Sequence, residues 1–164
     1  MTAVPEDQSL APTLRIRRAT AEDLAQVVDL DARITGQSKP DYWQDVYERY
    51  GSRRLDERFF LLADHGDTLS AARILGLIVG EVRGWEFGSE PCGWIFAVSV
   101  DPEHRERRIG EALFKEMCND FRQAGMTKVR TMVQRHQPLN MSFFRGEGMV
   151  AGPYVQLEMG LDET

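Results

Sequence analysis

The segment from Trp94 to Val133 constrains the fold of this chain more than any other. Trp94-Ile95-Phe96-Ala97-Val98-Ser99-Val100 is apolar on both faces, the pattern of a central strand covered by helices on both sides. Asp101-Pro102 ends it. A helical repeat follows, with Ile109, Ala112, Leu113, Met117, Phe121 and Ala124 on one face and Gly125 as its stop, and Val129 to Val133 is a second buried strand. Strand, long helix and strand in that order make a right-handed crossover, so these two strands are parallel.

The rest of the chain supplies antiparallel neighbours. Leu14-Arg15-Ile16-Arg17 alternates as a short strand does, and Thr20 with Asp23 opens a helix that carries Leu24, Val27, Val28, Leu30 and Ile34 to Gly36. Pro40 opens a second helix, with Tyr42, Trp43, Val46, Tyr47 and Tyr50, ending at Gly51. Phe59 to Ala63, a turn at Asp64 to Asp67, and Ile74 to Val82 form a meander with the central strand. Leu139 to Arg145 is a short helix, and Tyr154 to Leu161 a closing strand with Val155, Leu157 and Met159 turned inward. The expected fold class is α/β (α+β): a central mixed, mostly antiparallel sheet with one parallel βαβ unit, flanked by helices. At 164 residues, and with about 150 residues per domain as a guide, residues 14–164 read as one domain behind an N-terminal arm of residues 1–13.

Twenty Lys and Arg against 26 Asp and Glu leave a net charge of -6, whereas nucleic-acid-binding domains carry a basic excess. No nucleic acid partner is expected. The first dozen residues hold no apolar stretch of the secretory kind. The apolar run Ile74 to Gly80 is far shorter than the roughly 20 residues that span a bilayer. A soluble, cytoplasmic protein without a membrane partner is the expectation. Cys92, Cys118, His65, His104 and His136 are scattered without metal-ligand spacing, so no metal is expected.

Function is most legible between Asp101 and Leu113. Arg105, Arg107 and Arg108 stand in the turn and at the start of the helix, where the positive end of the macrodipole penalises each cation by about 0.3 to 1 kcal/mol. Gly110 costs about 0.8 to 1 kcal/mol relative to Ala in a helix, but admits close approach to the backbone. An anion docked on the exposed amides offsets both costs. The location, beyond the carboxyl end of a buried strand, is where open α/β sheets bind ligands. Neither a P-loop nor a Gly-x-Gly-x-x-Gly fingerprint occurs, so the phosphate-bearing ligand is of another kind.

These residues resemble a known signature. Val100-Asp101-Pro102, then Arg105-Glu106-Arg107-Arg108-Ile109-Gly110 and Ala112-Leu113, are similar to the Arg/Gln-x-x-Gly-x-Gly/Ala loop of the GNAT superfamily of acetyl-CoA-dependent N-acetyltransferases, with Arg108 at the first glycine. Phe143-Phe144-Arg145-Gly146-Glu147-Gly148-Met149 resembles the family's Phe-Tyr-x-x-x-Gly-Phe. The resemblance implies an acyltransferase that moves the acetyl group of acetyl-CoA to a primary amine, of a small molecule or of a peptide or protein, by direct attack in a ternary complex. It implies a pyrophosphate held by Arg105, Arg107, Arg108, Ile109, Gly110, Glu111 and Ala112. The pantetheine arm would run along Val98, Ser99 and Val100, with Gln137, Asn140 and Phe144 beside it. Phe144 replaces the family's tyrosine acid, and Phe96-Ala97-Val98 holds no central-strand glutamate. A non-catalytic acyl-CoA-binding regulatory module is therefore the alternative.

Among the carboxylates, Glu81 stands out as the base because it continues the face of Leu75, Leu77 and Val79 at the end of a strand. Glu86 and Glu90 are weaker candidates. Tyr154 is the candidate acid in place of the missing tyrosine, with Ser142 or a water as rivals. Tyr42, Trp43, Trp85, Glu86 and Trp94 are candidates to line the acceptor pocket, with core packing as the competing role for the aromatics. The net charge fits a cationic amine, and a homodimer is allowed.

Overall fold

The computed structural model describes residues 13–66 and 72–162. The N-terminal arm through residue 12, and Asp67 of the expected turn, lie outside the described residues. Five strands form one sheet in chain order: β1 (Leu14–Arg18), β2 (Arg58–His65), β3 (Ile74–Arg83), β4 (Cys92–Val100) and β5 (Val129–Thr131). The pairings are antiparallel from β1 to β4 and parallel between β4 and β5, the expected mixed sheet. The chain divides into two compact units, one ending at Met132 and one beginning at Val133.

In the first unit the helices begin and end where their terminal residues dictate. The Thr20 and Asp23 side chains form a capping box ahead of α1 (Leu24–Thr35), which ends on Gly36 at φ 77. Pro40 opens α2 (Pro40–Val46), and the chain continues through a π turn over Tyr47–Gly51. The crossover helix is α3 (Ile109–Gln123). Its buried face of Ile109, Leu113, Met117 and Phe121 lies on one side of the sheet, against Gly76 and Gly80 of β3. Full burial of each such side chain is worth about 1.5 to 3 kcal/mol. The other side of the sheet carries Phe60, Leu62, Leu77 and Val79, packed with Val27, Leu30, Trp43 and Val46 of α1 and α2.

Three expectations are corrected: the second strand of the crossover ends at Thr131, not Val133, and is half-buried, and two others concern the central and closing strands. The central strand is not doubly covered along its length: Cys92, Gly93 and Ile95 are buried, Phe96 is exposed, and Ala97 to Val100 are only half-buried. The reason is that β5 stops at Thr131 and pairs β4 only over Gly93–Ile95. The closing strand over Tyr154 to Leu161 does not form. Among the described residues this stretch has no ladder partner, and Val155, Leu157 and Met159 are exposed. Alternation alone does not make a strand without an edge to pair with.

Asp64 is fully buried at the β1–β2 pairing. It accepts from Arg15 Nε at 2.9 Å and Arg17 Nε at 2.7 Å, while Arg17 also donates to Asp23 at 2.7 and 2.8 Å. Burial pushes the Asp64 and Asp23 carboxyls up, but the guanidinium hydrogen bonds outweigh it, and both end below the ordinary carboxylate range. Asp101 behaves likewise: burial is opposed by the Glu103 amide, Arg33 and Arg73, and its carboxyl also ends low. A depressed carboxyl stabilises the fold above its unfolded pKa of about 3.9, and that contribution disappears as the pH falls through the lower folded value. The melting temperature should therefore drop on acidification below about pH 4. Asp64→Asn should lower it at neutral pH and shrink the acid-induced drop, as melts between pH 3 and 7 would show.

Candidate active site

The site is built around β4 and the start of α3. Val79 pairs with Ala97 and Gly80 with Ile95, so Phe96 is an extra residue, a β-bulge in the middle of the strand. From the bulge to Val100, β4 keeps β3 on one side but has no ladder partner on the other among the described residues. That open edge holds Val98, Ser99 and Val100, the residues expected to face the pantetheine arm. It offers backbone donors and acceptors to an extended amide-bearing ligand.

Beyond Val100 the chain turns through Pro102–Arg107 into α3. Arg108 is the N-cap of α3 and stands at φ 55, a left-handed conformation in which a glycine carries no steric cost. Among the described residues no side chain caps the helix. The amides of Ile109, Gly110 and Glu111 belong to the first turn, where no intrahelical acceptor exists, and that of Ala112 donates to the Arg108 carbonyl at 3.1 Å. Ile109 itself is buried, so only its backbone is available to a ligand. Arg105 is exposed, and the Arg108 side chain is 85% exposed with Glu111 at 3.8 Å. The side chain of Arg107 lies outside the described residues. An uncapped helix start flanked by exposed guanidinium groups fits a pyrophosphate.

Asp101 anchors this turn. Its carboxylate is fully buried, accepts from the Glu103 amide at 3.0 Å, and meets Arg73 at 2.9 Å and Arg33 at 3.2 Å. Glu103 and His104 lie close enough to form a potential ligand set with it. The two arginines already neutralise its charge.

Glu81 is the second focus. Arg58 of β2, Glu81 of β3 and Trp94 of β4 are directly paired neighbours, so all three project from one face. Arg83, two residues on, shares that face. The Glu81 side chain is 19% exposed, with Arg58 Nε at 4.0 Å and Arg83 Nε at 3.6 Å. Among the described residues its carboxylate accepts no hydrogen bond, because both contacts exceed hydrogen-bond length. The Arg83 guanidinium sits over the Trp94 ring at 4.5 Å and that of Arg58 over Tyr50 at 5.3 Å. Tyr50 also packs on the bulged Phe96, with centroids 4.8 Å apart. Burial first, and the Glu81 charge second, raise the Tyr50 phenol above its ordinary pKa, which keeps it protonated.

The other sequence candidates divide. Trp43 is core: it is 3% exposed and packs on Phe60 at 5.9 Å, so it lines no pocket. A tryptophan on the apolar stripe of α2 is carried inward by that helix's burial. Tyr42, edge-on to Trp43 and under Lys39, is exposed. Trp85 is 70% exposed in a loop with φ 56, and Glu86 is exposed and pairs with Arg83 at 3.2 Å. Glu90 is exposed in the same connection. In the second unit, Gln137 and Asn140 open α4 (Pro138–Gly146) and bond to each other at 2.9 Å. Phe144 is buried on the same helix, and Tyr154 is exposed in the irregular segment that follows. Tyr50, Arg58, Arg83 and Phe96 were not singled out from the sequence. Arg83 was findable, since alternation places it beside Glu81, but the others depend on pairing register.

No helix among the described residues is long and apolar enough to cross a membrane. The structure is similar to an aminoglycoside N-acetyltransferase solved in complex with CoA, with a TM-score of 0.76 and 13% identity over 94% of this chain and 99% of that one. It is also similar to an acetyltransferase of Trypanosoma brucei, with a TM-score of 0.68 and 22% identity over 91% of this chain and 100% of that one. At these identities the likeness is one of fold. In sequence, a mycothiol acetyltransferase of Kocuria rhizophila is 31% identical over 104 residues, which are 63% of this chain and 34% of that protein. The chain thus spans about a third of the length of the curated relative it matches. Residues 24–149, which take in the bulged strand, the uncapped helix and Glu81, match the acetyltransferase (GNAT) family, and the chain belongs to that family.

Proposed function

We propose that the protein is an N-acetyltransferase that transfers the acetyl group of acetyl-CoA to a primary amine by direct attack in a ternary complex. The observation that carries this reading is the continuity of the open β4 edge with the uncapped start of α3. Along that line a ligand with an anionic end and an amide-bearing arm has its donors and acceptors met. Arg105, Arg108 and the amides of Ile109, Gly110 and Glu111 would hold the pyrophosphate, with Arg107 and Ala112 beside them. Val98, Ser99 and Val100 would pair with the arm. Bound acetyl-CoA supplies an acyl group activated as a thioester.

The protein's own part is to handle protons and orient the carbonyl. An alkyl ammonium has a pKa of about 10.4, so attack requires a base, and Glu81 fits because its carboxylate is half-buried and accepts no hydrogen bond among the described residues. A backbone amide near Val98, beside the bulge, donates to the thioester carbonyl. A departing thiolate with a pKa of about 8.5 needs little help.

Charge reversal tests the anion site. Arg105→Glu with Arg108→Glu should weaken CoA binding by about 10-fold or more, since charge-assisted hydrogen bonds are worth about 1.5 to 3 kcal/mol each. Calorimetric titration with an unchanged dissociation constant would remove the loop from the site.

A further inference from the structure

We propose that the acceptor amine carries a carboxylate of its own, docked on Arg83 and Arg58, so that the site takes an α-amino acid or a similar zwitterionic amine and not a polycation. This rests on the reading of Glu81 as the group that handles the amine.

The argument begins with local charge. The whole chain is acidic, at -6, and the cavity beside Glu81 carries both signs, with Arg18, Arg54 and Arg58 among Asp56, Glu57 and Asp120, but the side chains that pair with Glu81 itself are both cationic. Two guanidinium groups flank this one half-buried carboxylate, and Glu86, the other acid in reach of Arg83, is largely exposed. A polyamine entering here brings further positive charge against Arg58 and Arg83. A zwitterion does not. Its ammonium meets Glu81 and its carboxylate meets the arginines, and the 3.6 Å between Glu81 and Arg83 Nε matches opposite charges carried on one carbon of a ligand.

The donors are also available and held in place. Arg58 Nη1 donates to the Arg49 carbonyl at 2.9 Å, and its Nη2 makes no hydrogen bond among the described residues. Arg83 meets both acids through Nε, and among the described residues neither of its Nη atoms makes a hydrogen bond. A forked donor with its outer nitrogens free suits bidentate capture of a carboxylate. Both forks are stacked, Arg83 on Trp94 and Arg58 on Tyr50, which limits their rotation before a ligand arrives. Trp94, Tyr50 and Phe96 then present aromatic surface to the remainder of the acceptor.

The test uses acetyl-CoA with phenylalanine, phenylalaninamide, phenethylamine and spermidine, following thiol release. In the wild type, kcat/KM for phenylalanine should exceed that for phenylalaninamide by about 10-fold or more, and spermidine should be the poorest acceptor. In Arg83→Gln the ratio should fall to near one through KM, and Arg83→Lys should restore part of it. Should Arg83→Gln fail to give a cooperative melt, Arg58→Gln serves as the second variant. A wild-type ratio near one, an unchanged ratio in these variants, or a preference for spermidine overturns the proposal. If none of the amines turns over, calorimetric titration of the same compounds into the CoA-bound protein decides: carboxylate-dependent binding lost in Arg83→Gln supports it, and its absence overturns it. Glu81→Gln forms a separate arm. Full turnover in that variant, with the carboxylate preference intact, removes the base but keeps the acceptor class; lost turnover in that variant, beside a wild-type ratio near one, does the reverse.

Discussion

Glu81→Gln should lower kcat by about 100-fold or more, in line with the roughly 10² to 10⁴ that a positioned base contributes. Glutamine keeps the size of the side chain and removes the proton acceptor. The fold should tolerate the change, because the ion pairs lost, to Arg58 at 4.0 Å and Arg83 at 3.6 Å, are long and partly solvated. Pairs of that kind are worth about 0 to 1 kcal/mol. CoA affinity should remain near the wild-type value, since Glu81 pairs with Trp94 toward the start of β4 while α3 begins beyond its far end. Steady-state kinetics on a confirmed acceptor, together with a CoA titration, checks both halves. Wild-type turnover across the pH range would leave Glu81 as a partner in a surface ion-pair cluster and pass the question to Glu86.

Gly93→Val should destabilise the protein by about 3 kcal/mol or more, at or above the upper end of the cost of overpacking a core. A Cβ at Gly93 would lie 2.5 Å from Phe121 Cγ and 2.6 Å from Cε2, with Cδ2 nearer still. Phe121 cannot give way easily: it is buried and held edge-on by Phe59 at 5.5 Å. Gly93 also starts the short parallel ladder, pairing with Val129 and donating to the Lys128 carbonyl at 2.9 Å. Pushing β4 away from α3 therefore loosens the pairing that determines where the open edge begins. Thermal melts should show a midpoint lower by about 6 to 12 °C, with weakened CoA binding. A melt within a degree or two of wild type would mean that α3 shifts along the sheet at little cost.

The places where expectation and structure part have identifiable causes. Trp43 fits an acceptor pocket by residue type, but sits on the buried stripe of α2. Trp94 to Val100 reads as buried on both faces because every residue but Ser99 is apolar, and hydropathy does not register that the neighbouring strand ends at Thr131. Val155, Leu157 and Met159 alternate as a strand would and remain exposed, because alternation needs a ladder partner to become structure. Arg108 fills the signature's glycine position, and its φ of 55 gives the physical reason a glycine suits that position.

The sequence by itself determined the order of strands and helices through β5 and α4, the parallel crossover, and the place of the arginine-rich turn proposed to bind an anion. Each of these is written in short windows, through apolar periodicity, Thr20 and Asp23 as a capping box, Gly36 and Gly125 as stops, and arginines gathered at a helix start. The tertiary structure alone decided what surrounds Glu81. Arg58 reaches it from β2, Trp94 from β4 and Tyr50 from the turn after α2, and the bulge at Phe96 offsets the register beyond it. Strand register is a long-range choice made by both sheet faces at once, and a slip of one residue turns every side chain to the opposite face. The partners of Glu81 therefore emerge only when distant segments of the chain pair.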